Sequence, residues 1–508
     1  MNMKRLLCLL LAACMVIPFA ACGTGEDDVT GSDTGTSAAA TEVSTEDMSF
    51  RDELPALDFG NAELTALTTT KIGVGDELAC EKTNGELIND AVYTRNCTIE
   101  DRLHVKLNVV AENAAGINGS VDYYVGDTIH KLVTTGDNEY QFFAIPSYVG
   151  MQNAIKGDYR DLFTLGHLDL DKSYWAQGYN DMASWGGDHQ FLASGSAALT
   201  LFRYMYVTLY SKDLMKEQQI EDPFEKTLNG EWTLDYQYEI TSGVYKDLNG
   251  DGKEDEKDFY GFITGNHTSG DCYWIGGDAH VLQKDDDDLF YYDPDVDRLV
   301  NVMEAVQKLY YKPGSYIYHG AVDVTDSTLI IDAFDEGRAM MVTVMIGKLE
   351  TNLRDYAGDY GILPMPKYDS VQKDYRTCVQ DQVSGFGVPV TVPDDDLDML
   401  GAVLECLASE SYKTVVDAYY NTALSYKYLN NAESLTMLDL TYNSVAFEIA
   451  QIYTACLGST NLNFLEIMRS ILQSKKNTVA SQYKKISRSM GKAVENLNSS
   501  YDKVVSMQ

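Results

Sequence analysis

"GSVDYYVGDTIHKLVTTGDNEYQFFAIPS", residues 119–147, decides the fold class. Ser120 is placed to cap a helix, because a serine oxygen can accept a backbone N–H left open at a helix start. Val125, Ile129 and Leu132 then recur at i, i+4 and i+7, which is one apolar face of a helix. "EYQFFAIPS" follows as a short aromatic strand that ends at Pro146. Upstream, "LTALTTTKIGV" (64–74) and "VKLNVV" (105–110) also read as strands. This alternation predicts a mostly parallel sheet covered by helices. Ligands in such folds sit beyond the carboxyl ends of the strands, so Tyr148 is a candidate for lining a cleft.

A second strand–helix region begins further on, with "YGFITG" (260–265) and "YGILPMP" (360–366) as strand ends. "VPDDDLDMLGAVLECLASESYKTVV" (392–416) predicts a helix capped by Asp394, with acid in its first turn and Leu400, Val403, Leu404 and Leu407 as its apolar stripe. Near the C-terminus Tyr483, Ile486, Met490, Val494 and Leu497 share one face and predict a helix packed on the core. No repeat of solenoid length is present.

The N-terminus has the order of a secretion signal: Lys4 and Arg5, then the apolar "LLCLLLAACMVIPFA", then small residues before Cys22. "FAACGTG" (19–25) resembles the bacterial lipobox, in which the cysteine is lipidated, so residues 1–21 are expected to be a lipoprotein signal peptide. "LAAC", ending at Cys14, competes but leaves a very short apolar core. Residues 22–60 read as a flexible tether, since "GTGEDDVTGSDTGTSAAATEVSTED" offers almost nothing to bury. The expected location is the outer face of a bacterial cytoplasmic membrane, reached through a lipid anchor alone. No later apolar run is long enough to span a bilayer.

The formal net charge of −38 argues against nucleic acid, because such a surface repels phosphate backbones. Of nine cysteines, Cys8, Cys14 and Cys22 lie in the signal region. The other six show no C-x-x-C spacing for zinc or redox chemistry; Cys406 sits in an apolar helical pattern, and a Cys80–Cys97 bridge is neither required nor excluded.

"DLNGDGKEDEKD", residues 247–258, has the spacing of a calcium loop. Asp247, Asn249, Asp251, Asp255 and Asp258 fall at positions 1, 3, 5, 9 and 12, with the carbonyl of Lys253 at position 7 and Gly252 permitting the bend. Position 12 is Asp, where sensor loops place Glu, and the flanks are not a pair of sensor helices. The expected role of Ca2+ is therefore a structural staple.

Several motifs together resemble the family 1 extracellular solute-binding proteins of ABC importers, related to maltose-binding protein. They are "NDAVYTRNCTIEDRLHVKL" (89–107), "YWAQGYNDMASWGGDHQFLASGS" (174–196), "GEWTLDYQYEITSGVYKDLNGDGKEDEKDFYGF" (230–262), "FDEGRAMM" (334–341), "DYGILPMPKYD" (359–369) and "LECLASESYKTVVDAYYNTAL" (404–424). The resemblance implies an α/β fold of two hinged lobes (type II), each a mixed sheet flanked by helices. Residues 61–145 and 387–455 would form one lobe, 146–386 and 456–508 the other. It implies a monomer, not an enzyme, that passes a small solute to ABC permease subunits, with an oligosaccharide as the expected solute.

Sugar receptors of this kind stack aromatic rings on pyranose faces and direct carboxylates and amides at hydroxyls. By position, the resemblance points to Tyr273 and Trp274 in "DCYWIGGD", to Tyr148, and to Trp175, Asp181 and Trp185 as ligand contacts. Trp232 lies in "GEWTLD", at a helix start capped by Thr233, and reads as structural. Around "MMVTVMIG" (340–347) the maltose receptor presents tryptophan, whereas this chain has Met345 and Ile346. The competing class is a secreted, calcium-stapled carbohydrate-active enzyme, but no nucleophile elbow, zinc-protease motif or phosphate loop is present.

Overall fold

The computed structural model describes residues 51–70, 75–116, 119–319, 323–354, 356–428, 432–458 and 460–508. The signal segment, Cys22 and the tether up to residue 50 lie outside them. In chain order, β1 (Ala62–Thr69), α1 (Leu87–Leu103), β2 (Val105–Glu112), α2 (Tyr124–Thr135) and β3 (Phe142–Pro146) build the first sheet and its cover. Ser120 accepts from the Asp122 N–H, as the sequence predicts, and opens a short turn that runs into α2. Val125, Ile129 and Leu132 then face the core. β1 lies between β2 and β3, parallel to both, so its last four residues are buried on both faces.

The chain continues through α3 (Ser147–Ala154) and α4 (Leu199–Arg203) into a second sheet. There follow β4 (Tyr206–Ser211), β5 (Phe259–Gly265), α5 (Thr268–Gly276), β6 (Ser315–Tyr318), β7 (Ala339–Met345), α6 (Lys348–Thr351) and β8 (Tyr360–Leu363). Its strand order is β6-β5-β7-β4-β8. β6, β5 and β7 run parallel, while β4 is antiparallel to both β7 and β8. The chain then returns: β9 (Ser384–Gly387) joins the first sheet antiparallel to β3. Both sheets are therefore mixed, where alternation alone predicts them mostly parallel. The difference arises because β4 and β9 are delivered by chain crossings between the sheets and not by local strand–helix–strand units.

Three helices complete the part that matters here: α7 (Leu397–Ser411), α8 (Phe464–Ser474) and α9 (Val479–Met507). The predicted stripe on α7 is buried, but so is every residue from Met399 to Ser411. Contacts with α1 on one side and with the helical stretch Tyr412–Tyr428 on another leave it no solvent face. The expected Asp394 cap gives way to a tight turn over Asp394–Asp396, with Asp396 at the helix start. α9 keeps its predicted face: Tyr483, Ile486, Met490, Val494 and Leu497 are all buried. Each apolar side chain of this size contributes about 1.5–3 kcal/mol when buried.

Residues 51–60 lie against the folded unit. Asp52 is buried, forms an ion pair with Arg102 and accepts from Ser409 Oγ at 2.6 Å. Cys80 and Cys97 are free thiols and Cys406 is a buried one. Among the described residues no helix is long and apolar enough to cross a membrane.

Candidate functional site

The carboxyl ends of β1 and β3 in the first sheet, and of β5 and β7 in the second, open on one cavity of about 1240 Å³. Thr70 follows β1, Tyr148 follows β3, His267 and Thr268 follow β5, and Gly347 follows β7; all five line it. Ligand pockets commonly measure about 300–1000 Å³, so this space exceeds what one sugar ring needs.

Tyr148 enters because Pro146 ends β3 and α3 begins at once, turning the next side chains outward from the sheet. Its ring meets that of Tyr123 edge-on, with centroids 6.0 Å apart and planes at 87°. Its hydroxyl donates to Asp122 Oδ2 at 3.1 Å, and Gln382 Nε2 reaches the same oxygen at 3.3 Å. Burial, with the nearby charges of Asp122 and Asp381, pushes the phenol well above its ordinary range. It therefore acts as a neutral donor with an apolar ring.

Two arginines of the cavity wall are held by carboxylates. Arg203, at the end of α4, meets Glu350 through two contacts of 3.2 Å and approaches Asp76 at 3.5 Å. Asp76 precedes α1 on the first-sheet side and Glu350 sits on α6 after β7, so this side chain links the two sides. Burial opposes its charge, yet Glu350 and the surrounding acids hold the guanidinium above its usual value. Arg469, on α8, contacts Asp271 at 2.5 Å and Glu466 at 2.8 Å. Both networks fix donors in place, which lowers the entropy a bound hydroxyl must spend to meet them.

Of the other predicted contacts, none lines this cavity. Trp274 is buried on α5 and meets Phe464 at 70° with centroids 5.5 Å apart. Tyr273 points into the second sheet, where its hydroxyl lies 2.6 Å from Thr343 Oγ1. Trp175 donates to Glu405 Oε2 at 3.1 Å, and Tyr174 donates to the other oxygen of that carboxylate. Gly195 permits this packing: a Cβ there would lie 2.4 Å from the Tyr174 carbonyl oxygen. Trp185 donates to Asn498 Oδ1 at 3.1 Å and stacks on Tyr501 of α9. Asp181 offers its backbone oxygen to Lys284. Trp232 is buried and donates to the Pro364 carbonyl at 2.9 Å, and Thr233 caps the helix after it.

The residues that sequence reasoning passed over are Tyr123, Arg203, Lys348, Glu350 and Arg469. One signal was available. Lys348 and Glu350 follow "MMVTVMIG" directly, at the strand end where the resemblance already located a contact. Met345 there lines the cavity, while Ile346 is fully buried.

The acidic loop lies apart from the cavity, just before β5. Asp247 accepts from the N–H groups of Gly250 and Gly252 at 2.6 and 2.9 Å, and Asn249 and Asp251 each accept from the N–H two residues on. Asp258 accepts from Tyr245 Oη at 2.9 Å and from the Leu248 N–H at 3.1 Å. Burial raises its pKa, but these hydrogen bonds outweigh it and hold the carboxyl below its usual value. The donor types and their order suit calcium, and Gly252 makes the bend at φ 72°. Among the described residues, no three His, Cys, Asp or Glu side chains converge on one point in this conformation.

No family model matches the sequence, and no curated protein matches it either. Solved structures do. A cyclo/maltodextrin-binding protein complexed with maltotetraose aligns over 86% of this chain and 97% of its own, at 13% identity and a TM-score of 0.54. The GacH receptor of Streptomyces glaucescens, solved unliganded and with acarbose, aligns over 87% and 98%, at 11% identity and a TM-score of 0.50. The chain has the two-lobed α/β fold of these binding proteins.

Proposed function

We propose that this chain is the substrate-binding component of an ABC importer, which closes its two lobes over an oligosaccharide and delivers it unaltered to permease subunits. The observation that carries this reading is the cavity itself. It lies where strand ends of both sheets meet, and it combines tyrosine rings with fixed donors and acceptors. Tyr148 and Tyr123 supply faces for C–H surfaces, and Gln382, Arg203 and Glu350 supply directed partners for hydroxyls. The solved structures of like fold contain maltotetraose or acarbose, which supports a saccharide as the solute. On this reading the chain crosses between lobes near Pro146, near residue 386 and near residue 456, and a lipid on Cys22 anchors it outside the cytoplasmic membrane.

We also propose that the acidic loop holds calcium as a local staple. The side chains of Asp247, Asn249, Asp251, Asp255 and Asp258 and the carbonyl of Lys253 would hold it. The ion would cross-link its oxygens and tighten the chain entering β5.

One experiment tests the main reading. The full-length protein is incubated with a glycan panel while melting temperature and product release are followed together. A rise in melting temperature without product is expected, because a ligand bound only by the native state stabilises it by mass action. Released product would replace this reading with a carbohydrate-active enzyme.

A further inference from the structure

Among the described residues four cations line the cavity, and they divide into two pairs. Arg203 is held by Glu350 and Asp76, and Arg469 by Asp271 and Glu466. Lys348 and Arg354, both on the wall that follows β7, have side chains with neither an ion pair nor a hydrogen bond among the described residues. The contrast is sharp because the chain has 77 acidic residues against 39 basic ones, so a carboxylate is usually within reach. Lys348 is half-buried, and burial lowers its pKa while Asp332, too far away for an ion pair, pulls the other way. A partly desolvated ammonium without a partner costs free energy that a bound anion would recover. The opposite wall differs in sign: Asp76 and Glu86 face the cavity from the first-sheet side. Asp381 also lines the cavity, and Glu350 on α6 is engaged by Arg203. Among the described residues, an anionic group therefore has its most favourable place against Lys348 and Arg354.

We propose that the cleft selects an anionic saccharide, one bearing a carboxylate or a sulfate ester, with that group against Lys348 and Arg354 and its rings against Tyr148 and Tyr123. This rests on the receptor reading above and adds the charge class of its solute. Arg354 presents a planar fork that matches either anion with two parallel hydrogen bonds, and Lys348 adds a point charge beside it.

Titration calorimetry of the full-length protein with a neutral tetrasaccharide, a tetrauronate, its methyl-esterified form and a sulfated tetrasaccharide tests this. At least one acidic sugar is expected to bind about tenfold or more tighter than the neutral one, which corresponds to one or two charge-assisted hydrogen bonds. For the uronate, esterification should abolish the preference; comparison with the sulfated sugar says which anion is preferred. The double variant K348Q/R354Q should bring the acidic-to-neutral ratio close to one, and K476Q, at an exposed lysine far along the chain, should leave it as it was. R354Q alone, at an exposed position, should lower the ratio in part and keeps the test valid if Lys348→Gln impairs folding. Equal binding of neutral and acidic sugars, or a preference that survives the double variant, overturns the proposal and leaves the receptor reading standing. Failure of all four sugars to bind overturns both.

Discussion

The segment from Tyr174 to Trp185 and the turn from Pro146 to Tyr148 both carry aromatic side chains with polar tips, but they meet different surroundings. Trp175 donates to Glu405, which is 2% exposed on α7, and Trp185 donates to Asn498 on α9. Their tips are answered from inside the protein, and their rings fill gaps between helices. Tyr148 also has its tip answered, by Asp122, but its ring stands at the end of β3 where the two sheets face each other. An aromatic residue is thus assigned to core or to cleft by where its ring stands relative to the strand ends, since an answered polar tip is common to both.

The comparison yields tests of decreasing size. Trp175→Ala should cost about 3–5 kcal/mol of stability, since it leaves a large cavity and removes one of the hydrogen bonds that buried Glu405 accepts. Denaturant unfolding measures this, and a loss below 1 kcal/mol would break the contrast. Glu405 gives the next effect. Burial raises its carboxyl to about 7 from an ordinary value of 4.5, against the hydrogen bonds of Tyr174 and Trp175. An acid raised in the folded state binds more protons there than when unfolded. Its stabilising contribution is therefore complete below pH 4.5 and is lost as pH rises through 7. Glu405→Gln should flatten that slope, by on the order of 2 kcal/mol across the window, in unfolding curves taken from pH 4.5 to 8.

Tyr148→Ala sharpens the other side. It should weaken saccharide binding about tenfold, near 1.4 kcal/mol, while changing stability less than Trp175→Ala does. Calorimetry beside a melting curve separates the two effects. The smallest expected effect belongs to the loop before β5. Chelation should lower the melting temperature by a few degrees, corresponding to about 1 kcal/mol, and leave saccharide affinity within twofold. Loss of binding with the fold intact would give the loop a role in the cleft.

His280 provides a second pH signature, of the same sign as that of Glu405 but set at higher pH. Hydrogen bonds to Asp278 and Glu448 raise its pKa to about 9 from an ordinary value of 6.5. Its contribution is present below pH 6.5 and fades as pH rises through 9. Because Glu405→Gln leaves this behind, the remaining slope should move to the alkaline side.

Much of the local structure was legible. The i, i+4, i+7 faces of α2 and α9, the Thr233 cap, and the strand ends at Pro146 and Gly265 follow from periodicity and chemistry over a few residues. Tyr148 was legible as a cleft residue for the same reason, since its position after a strand is a local fact. Trp232 was read as structural and is buried; the other three tryptophans were not legible. Whether each faces solvent, ligand or core depends on Glu405, Asn498 or Phe464, of which the first two lie 230 and 313 positions away and the third is brought in by another helix.

The sequence by itself determined the alternating strands and helices, the acidic surface, the loop of calcium spacing and the resemblance that points to two lobes. Those depend on residues within one turn or one pleat of each other. Tertiary structure alone decided which side chains meet in the cleft, and above all that Arg203 finds Glu350 at a separation of 147 residues while Lys348 forms no ion pair among the described residues. Charge pairing acts over a few ångströms, and only the packing of two distant sheets sets which charges come that close.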